Sequence, residues 1–304
     1  MKQVYLSFAL AMGLMAQGPT LASVLKNLAF ADRASEAQAL LEQQRPNHDT
    51  SSASWLAAVS WVARGASFVE KWDVAEKYAK EAHKGSQALI ENGAKIDSSA
   101  DLETALGASV EVLSKAYFAG GDRAKAAEFL HRERETYRGT AVETRIQKNY
   151  LTVSLEGKPM PALEATTFIG RGKPADLEGK VVLFYFWAHW CSDCKAQRPI
   201  LQRLNYEFAE KGLEIVGPTR LYGYDGMGRD ATPQQEESYL RGDYQKQYRL
   251  PVWMPAPLST ANFVNFGVSS TPTLVITDRK GIVRLYHPGK MPYAELRKTI
   301  AALI

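Results

Sequence analysis

The chain has 304 residues, 45% of them hydrophobic and 23% charged, with 22 Gly and 14 Pro. These are ordinary globular proportions that exclude disorder, collagen and low-complexity architectures, and the length suits two domains. Thirty-seven basic against 33 acidic residues leave a net charge of +4, too small and dispersed to argue for nucleic acid or an anionic membrane. Only two cysteines occur, Cys191 and Cys194, which rules out a disulfide-stapled mini-fold and a metal site built on several thiolates.

Met1-Lys2-Gln3 precedes the apolar stretch Val4 to Ala16, and Thr20-Leu21-Ala22 follows. One basic residue, a short apolar run and small residues at its end read as a secretory signal over residues 1–22. The run falls short of the ~20 apolar residues that span a bilayer, so no stable membrane anchor is expected. With no cysteine at the cleavage point, lipid attachment there is excluded. The expected location is periplasmic or otherwise exported, or cytoplasmic if the N-terminus is an uncleaved amphipathic helix.

Residues 23–153 read as helices only. Val24, Leu25, Leu28, Ala31, Leu40 and Leu41 recur at helical spacing and stop before Arg45-Pro46-Asn47. Further helices are expected over Trp55–Phe68, Asp73–Ile90, Asp101–Phe118, Arg123–Tyr137 and Ala141–Val153. Helix pairs joined by short Gly-containing turns suggest an all-α helical-hairpin domain. Two segments, from Trp72 and from Gly121, faintly resemble a tetratricopeptide repeat. Their 49-residue spacing does not fit its period of ~34, and an irregular bundle explains them as well. Nothing in this half looks catalytic.

The helical pattern stops at Gly157-Lys158-Pro159-Met160-Pro161, and residues 154–164 are assigned as a linker. From 165 to 304 strands and helices alternate. Val181–Phe186 is a continuous apolar run, the pattern of a strand buried on both faces. A helix follows from near Cys191 to Lys211, then a strand at Leu213–Val216. Thr232-Pro233-Gln234-Gln235 is an N-cap and capping-box pattern opening a helix to about Tyr248. Thr273–Thr277 and Ile282–His287 flank the turn Asp278-Arg279-Lys280-Gly281 as a hairpin, and Pro292–Leu303 closes the chain as an amphipathic helix. Gly223, Gly226 and Gly228 lack the context of a phosphate cradle and read as a mobile loop.

A Cys-x-x-Cys pair at a strand-to-helix junction has a specific use. The first sulfur lies among the unpaired N–H groups and positive dipole end of the helix, which favour its thiolate. Cys194, three positions on, shares a helical face with it and lies within disulfide reach. Cys191 is thus the candidate nucleophile and Cys194 the candidate resolving thiol, with Asp193 partly opposing thiolate formation. Zinc would need two more ligands, and neither HxxxH nor a second CxxC exists. His189 reads as an exposed surface histidine. No metal and no cofactor beyond the cysteine pair is expected.

Val181 through Lys195, with Trp187-Ala188-His189-Trp190-Cys191-Ser192-Asp193-Cys194 at its centre, resembles the active-site segment of the thioredoxin superfamily. Pro199 matches the proline that kinks the active-site helix, Thr271-Pro272 the cis-proline loop, and Gly289 the glycine after the last strand. The run Gly157 to Lys180 and the long segment from Val216 to Gly267 resemble the TlpA/ResA-like and redoxin branch. The resemblance covers about 157–304 and implies an α/β thioredoxin fold, a mixed sheet flanked by helices, behind the all-α domain. It implies that the Thr271 backbone pairs with an extended substrate beside the cysteines, and that Trp190 packs beside the dithiol and Trp187 in the core. One position departs: where thioredoxins carry a buried aspartate, this chain has Tyr185, a poor base at neutral pH. Glu236, Glu237 and Asp243 read as solvated surface.

The expected function is exchange of the dithiol with disulfides of protein substrates, as a reductase recharged by an upstream electron donor. A redoxin-type peroxidase is the alternative within enzymes. A binding scaffold with a vestigial thioredoxin domain is the alternative outside them. The helical domain is a candidate binding place for a protein partner, which the residues do not identify.

Overall fold

The computed structural model describes residues 19–164, 166–170 and 177–304. Most of the signal assigned to 1–22 therefore lies outside the described residues. Thr20, at its end, caps α1 (Leu21–Phe30) by accepting from Ser23 N at 3.2 Å. The periodic run from Val24 to Leu41 is two helices, α1 and α2 (Ala34–Gln44), parted at Asp32 with φ 56°. Aspartate is one of the few residues that enters that region at low cost, so the turn interrupts a pattern whose apolar periodicity runs on.

Helices α3 (Ala53–Phe68), α4 (Trp72–Glu91), α5 (Ala100–Ala119), α6 (Arg123–Thr136) and α7 (Glu143–Ser154) complete this half. Ser52, Ser99 and Asp122 cap α3, α5 and α6 with side-chain oxygens. α3 is buried on nearly every side because its surface is largely Ala, Ser and Gly. A Cβ on Gly65 would stand 3.0 Å from the Ala29 Cβ, so the small residue is what lets α1 lie against α3.

The second half holds β1 (Phe168–Gly170), β2 (Val181–Phe186), α8 (Ser192–Phe208), β3 (Leu213–Val216), α9 (Pro233–Arg241), α10 (Asp243–Tyr248), β4 (Pro255–Pro257), α11 (Thr260–Asn265), β5 (Thr273–Thr277), β6 (Val283–Pro288) and α12 (Tyr293–Ala301). The main sheet runs β3-β2-β5-β6, with β2 parallel to β3 and antiparallel to β5, and β5 antiparallel to β6. α8 makes the crossover that a parallel pair requires. β1 and β4 form a separate antiparallel pair. At three residues each, with prolines at both ends of β4, they leave no pattern in the sequence. The six residues of α11 are likewise too few to read.

β2 is buried along its whole length. Val181, Leu183 and Tyr185 join the core with Leu201 and Leu204 of α8 and Leu296 and Ile300 of α12. Val182, Phe184 and Phe186 face the other way, onto Phe263, Phe266 and Leu155. The helix expected from Thr232 to Tyr248 breaks at Gly242, where a Cβ would press to 3.0 Å from Ser238 O.

The segment 154–164 lies along the edge of the sheet. Gly157 N donates to Val283 O at 2.8 Å, Val283 N to Lys158 O at 2.9 Å and Met160 N to Gly281 O at 2.8 Å. Glu156 accepts from Tyr286 N at 2.7 Å and pairs with Arg123 of α6. Both backbone groups of Val283 and the N–H of Tyr286 on the outer edge strand β6 are thus satisfied by the stretch that joins the two halves.

Candidate functional site

The end of β2 delivers the chain into the site. Trp187 is fully buried, donates Nε1–H to Gly217 O at 2.8 Å and stacks on Tyr244 at 5.5 Å. Cys191 then caps α8: its Sγ accepts from Cys194 N at 3.1 Å, the place a Ser or Asp oxygen takes in other helices. Both cysteines are free, Cys191 at 6% exposure and Cys194 at 1%. Cys191 Sγ lies 3.3 Å from the Thr271 carbonyl oxygen, and the Thr271–Pro272 bond is cis. Pro272 O accepts from Gly289 N at 2.7 Å, so the glycine after β6 (φ 100°) buttresses that loop.

The two thiols are displaced in opposite directions. The hydrogen bond with the Cys194 thiol, aided by the Cys194 N–H, brings Cys191 from 9.0 down to about 6 against burial and the Asp193 charge. Burial, and then donation of its proton to Cys191, pushes Cys194 far up. Asp193 is itself exposed and held by Lys290 at 3.0 Å. A sulfur that carries negative charge near neutral pH thus stands beside one that keeps its proton.

Pro199 lies inside α8, where it removes one helical hydrogen bond. Tyr185, at the position of the family's aspartate, donates its hydroxyl to Cys194 O at 2.7 Å. Burial raises its pKa well above the ordinary value, so it is a structural donor and no proton acceptor. Trp190 is 54% exposed, edge-on to Tyr222 at 5.5 Å, and is the aromatic surface next to Cys191.

Two sequence expectations are corrected. His189 is 1% exposed, and Glu236 is fully buried. They meet at 3.0 Å, His189 Nε2 to Glu236 Oε1. The signal for Glu236 is present in the helix phase. Leu240, one turn on, is an inward apolar residue, and i and i+4 share a face. Glu237 and Asp243 do pair on the surface, with Arg241 and Lys246. Gln197, not singled out in the sequence, is buried and bonds both N and O of Met291, tying α8 to the approach of α12. The loop of Gly223, Gly226 and Gly228 is folded on Asp225, whose carboxylate accepts from Met227 N and Arg229 N. Among the described residues no three His, Cys, Asp or Glu side chains converge to hold a metal ion.

A dithiol at the start of the helix that follows a central strand, facing a cis-proline loop, defines a class of proteins that trade thiols for disulfides. A family model described as a thioredoxin-like domain matches residues 172–304. The "Thiol:disulfide interchange protein DsbE" of Pseudomonas fluorescens biotype C is 30% identical over 149 residues, 48% of this chain and 74% of that protein. The "Thioredoxin-like protein YneN" of Bacillus subtilis (strain 168) is 27% identical over 146 residues, covering 48% of this chain and 78% of its own. The "Thiol-disulfide oxidoreductase ResA" of Bacillus anthracis is 25% identical over 135 residues, 44% of this chain and 63% of that protein. The chain belongs to the thioredoxin-like thiol-disulfide oxidoreductases. The family model does not extend into the helical half.

Proposed function

We propose that the protein is an exported reductase of protein disulfides, with Cys191 as nucleophile and Cys194 as resolving thiol. The observation that carries this reading is the opposed displacement of the two thiols, one lowered to about 6 and its neighbour raised. The Cys191 thiolate attacks a substrate disulfide, forming a mixed disulfide and releasing one substrate thiolate. That thiolate takes up a proton. Cys194 then loses its own proton and attacks Cys191 Sγ, which frees the second substrate thiol and closes the Cys191–Cys194 disulfide. Two electrons have passed to the substrate, and a donor dithiol restores the pair. Thr271 beside Cys191 offers its carbonyl to an extended substrate backbone, and Pro272 and Pro199 shape the loop and the helix that present the thiols.

The direction of electron flow rests on the same pair. A nucleophile held as thiolate by hydrogen bonds from its neighbour, beside a thiol that keeps its proton, is poised to attack a substrate disulfide from the reduced state. Export rests on Val4 to Ala16 followed by Thr20-Leu21-Ala22. Among the described residues no helix is long and apolar enough to cross a membrane.

The test joins activity to trapping. The purified protein should reduce insulin and leave peroxide unconsumed. Cys191→Ser should abolish the reaction, while Cys194→Ser should accumulate mixed disulfides through Cys191. A redox titration should place the couple toward the reducing end of a range of about −270 to −120 mV. Mixed disulfides trapped by Cys191→Ser would reverse the roles, and a potential near the oxidising end would reverse the direction. Sequencing of the mature N-terminus should begin near Ser23 or Gln17, and an intact Met1 in a soluble cytoplasmic fraction would overturn export.

A further inference from the structure

The buried pair His189–Glu236 takes no part in the exchange just described. Glu236 belongs to α9, in the long insertion between β3 and β4, and His189 lies two residues before Cys191 on the active-site loop. Each of the carboxylate's oxygens is occupied. They accept from His189 Nε2 at 3.0 Å, from Tyr222 N at 2.8 and 2.9 Å and from Gly223 N at 2.7 Å. Burial lowers the His189 pKa and keeps the ring neutral, so Nε2 carries the proton it donates to Glu236. His189 Nδ1 then has no hydrogen-bond partner among the described residues. An apolar residue would fill this space without leaving a buried polar atom unmatched, so packing alone does not account for a histidine here. What the histidine adds is the link through Nε2.

That link has one visible consequence at the surface. Tyr222, whose N–H Glu236 holds, sets its ring edge-on to the exposed Trp190 and donates its hydroxyl to Trp187 O at 3.1 Å. The His189 ring meets the edges of Tyr222, Tyr239 and Tyr244 at 6.1, 5.5 and 6.4 Å. The insertion is thus seated on the residue that leads into Trp190-Cys191. We infer that Glu236 and His189 are positioning residues that fix the Trp190–Tyr222 wall beside Cys191, and that this wall selects folded or polypeptide disulfides over small ones. Trp190 is exposed and adjoins Cys191, so a polypeptide docked on the Thr271 backbone at Cys191 Sγ can lay a side chain against Trp190 and the Tyr222 ring behind it, whereas a small disulfide needs only the sulfur itself. The inference rests on the proposed exchange reaction.

The experiment compares full-length wild type with Glu236→Gln and His189→Phe, the latter keeping an aromatic ring but losing the Nε2 donor. Insulin and bis(2-hydroxyethyl) disulfide are the two substrates. In each variant KM for insulin should rise about tenfold, what one charge-assisted hydrogen bond is worth, with kcat little changed. The rate constant for the small disulfide and the pH midpoint for alkylation of Cys191 should stay within about twofold of wild type, since neither residue contacts the sulfurs. The double variant should be no worse than either single one, because the two act through one link. Parallel loss toward both substrates, an unchanged insulin KM, or additive effects would overturn the inference. If a variant does not fold, Tyr222→Ala, which leaves the pair intact and removes the wall, should reproduce the rise in insulin KM, and an unchanged KM there also overturns it. Wild type inactive toward both disulfides would instead refute the exchange reaction itself.

Discussion

At the residue scale the protein's chemistry is an asymmetry between two sulfurs three positions apart. Cys191 stands at the cap of α8, where it accepts from the Cys194 N–H and, while protonated, donates to Thr271 O, and Cys194 stands deeper and donates its proton toward Cys191. The reduced protein's stability should therefore depend on pH in a definite direction. Because folding lowers the Cys191 pKa from 9.0 to about 6, its contribution is fully present above about 9 and is lost as pH falls through about 6. Cys194, whose pKa is raised, acts in the opposite sense and only on the alkaline side. The melting temperature of reduced wild type relative to Cys191→Ser should rise between pH 6 and pH 9, and alkylation of Cys191 should titrate with a midpoint of about 6. A pH-independent difference would mean that Cys191 is not a folded-state thiolate. Serine is itself a good helix cap, so Cys191→Ser is a fair reference that keeps the start of α8 intact.

At the scale of elements, each piece that carries a functional side chain is held at its end. α8 begins on a cysteine cap, and α9 begins on a complete capping box. Thr232 Oγ1 accepts from Gln235 N at 3.3 Å, and Gln235 Oε1 accepts from Thr232 N at 2.9 Å. α9 is only nine residues long, too short to persist on its own propensity, so the box and the buried Glu236 and Leu240 keep it formed. Thr232→Ala should cost about 1 kcal/mol. Hydrogen exchange in α9 should quicken while that in α8 stays as it was. Equal acceleration in both helices would show that the insertion and the active-site helix open as one unit.

At the scale of the molecule, the helical half and the dithiol half share a seam on the sheet face away from α8. Leu155 joins Phe184, Phe263 and Phe266 there, and Leu151 of α7 lies against the turn after α11. Gly267 at that turn has φ 71°, and a Cβ would fall 2.5 Å from Leu151 Cβ and 2.8 Å from Lys148 O. Gly267→Ala adds both backbone strain and a clash with main chain, so it should destabilise the protein by about 1–3 kcal/mol. Activity per folded molecule should be unchanged, because the cysteines pack with the opposite face of β2. A melting temperature equal to wild type would show that the seam is looser than this contact implies.

The active-site segment was legible from the residues because its signals are local. A continuous apolar run makes β2, two cysteines one turn apart begin α8, and a proline precedes β5. The capping box placed the start of α9, the apolar run Leu213–Val216 placed β3, and the turn Asp278-Arg279-Lys280-Gly281 placed the hairpin of β5 and β6. Pairing over long separations was decided only by the folded chain. Glu236 meets His189 across 47 positions, and although its helix phase is shared with the inward Leu240, no local pattern names the histidine it meets. Tyr286 N reaches Glu156 across 130 positions, which turns a Gly- and Pro-rich stretch from a free connector into an edge of the sheet. Local periodicity reports which face of an element is apolar. Whether a charged group on another face finds enough hydrogen-bond donors to be buried depends on which distant element arrives beside it, and that is settled only in the tertiary structure.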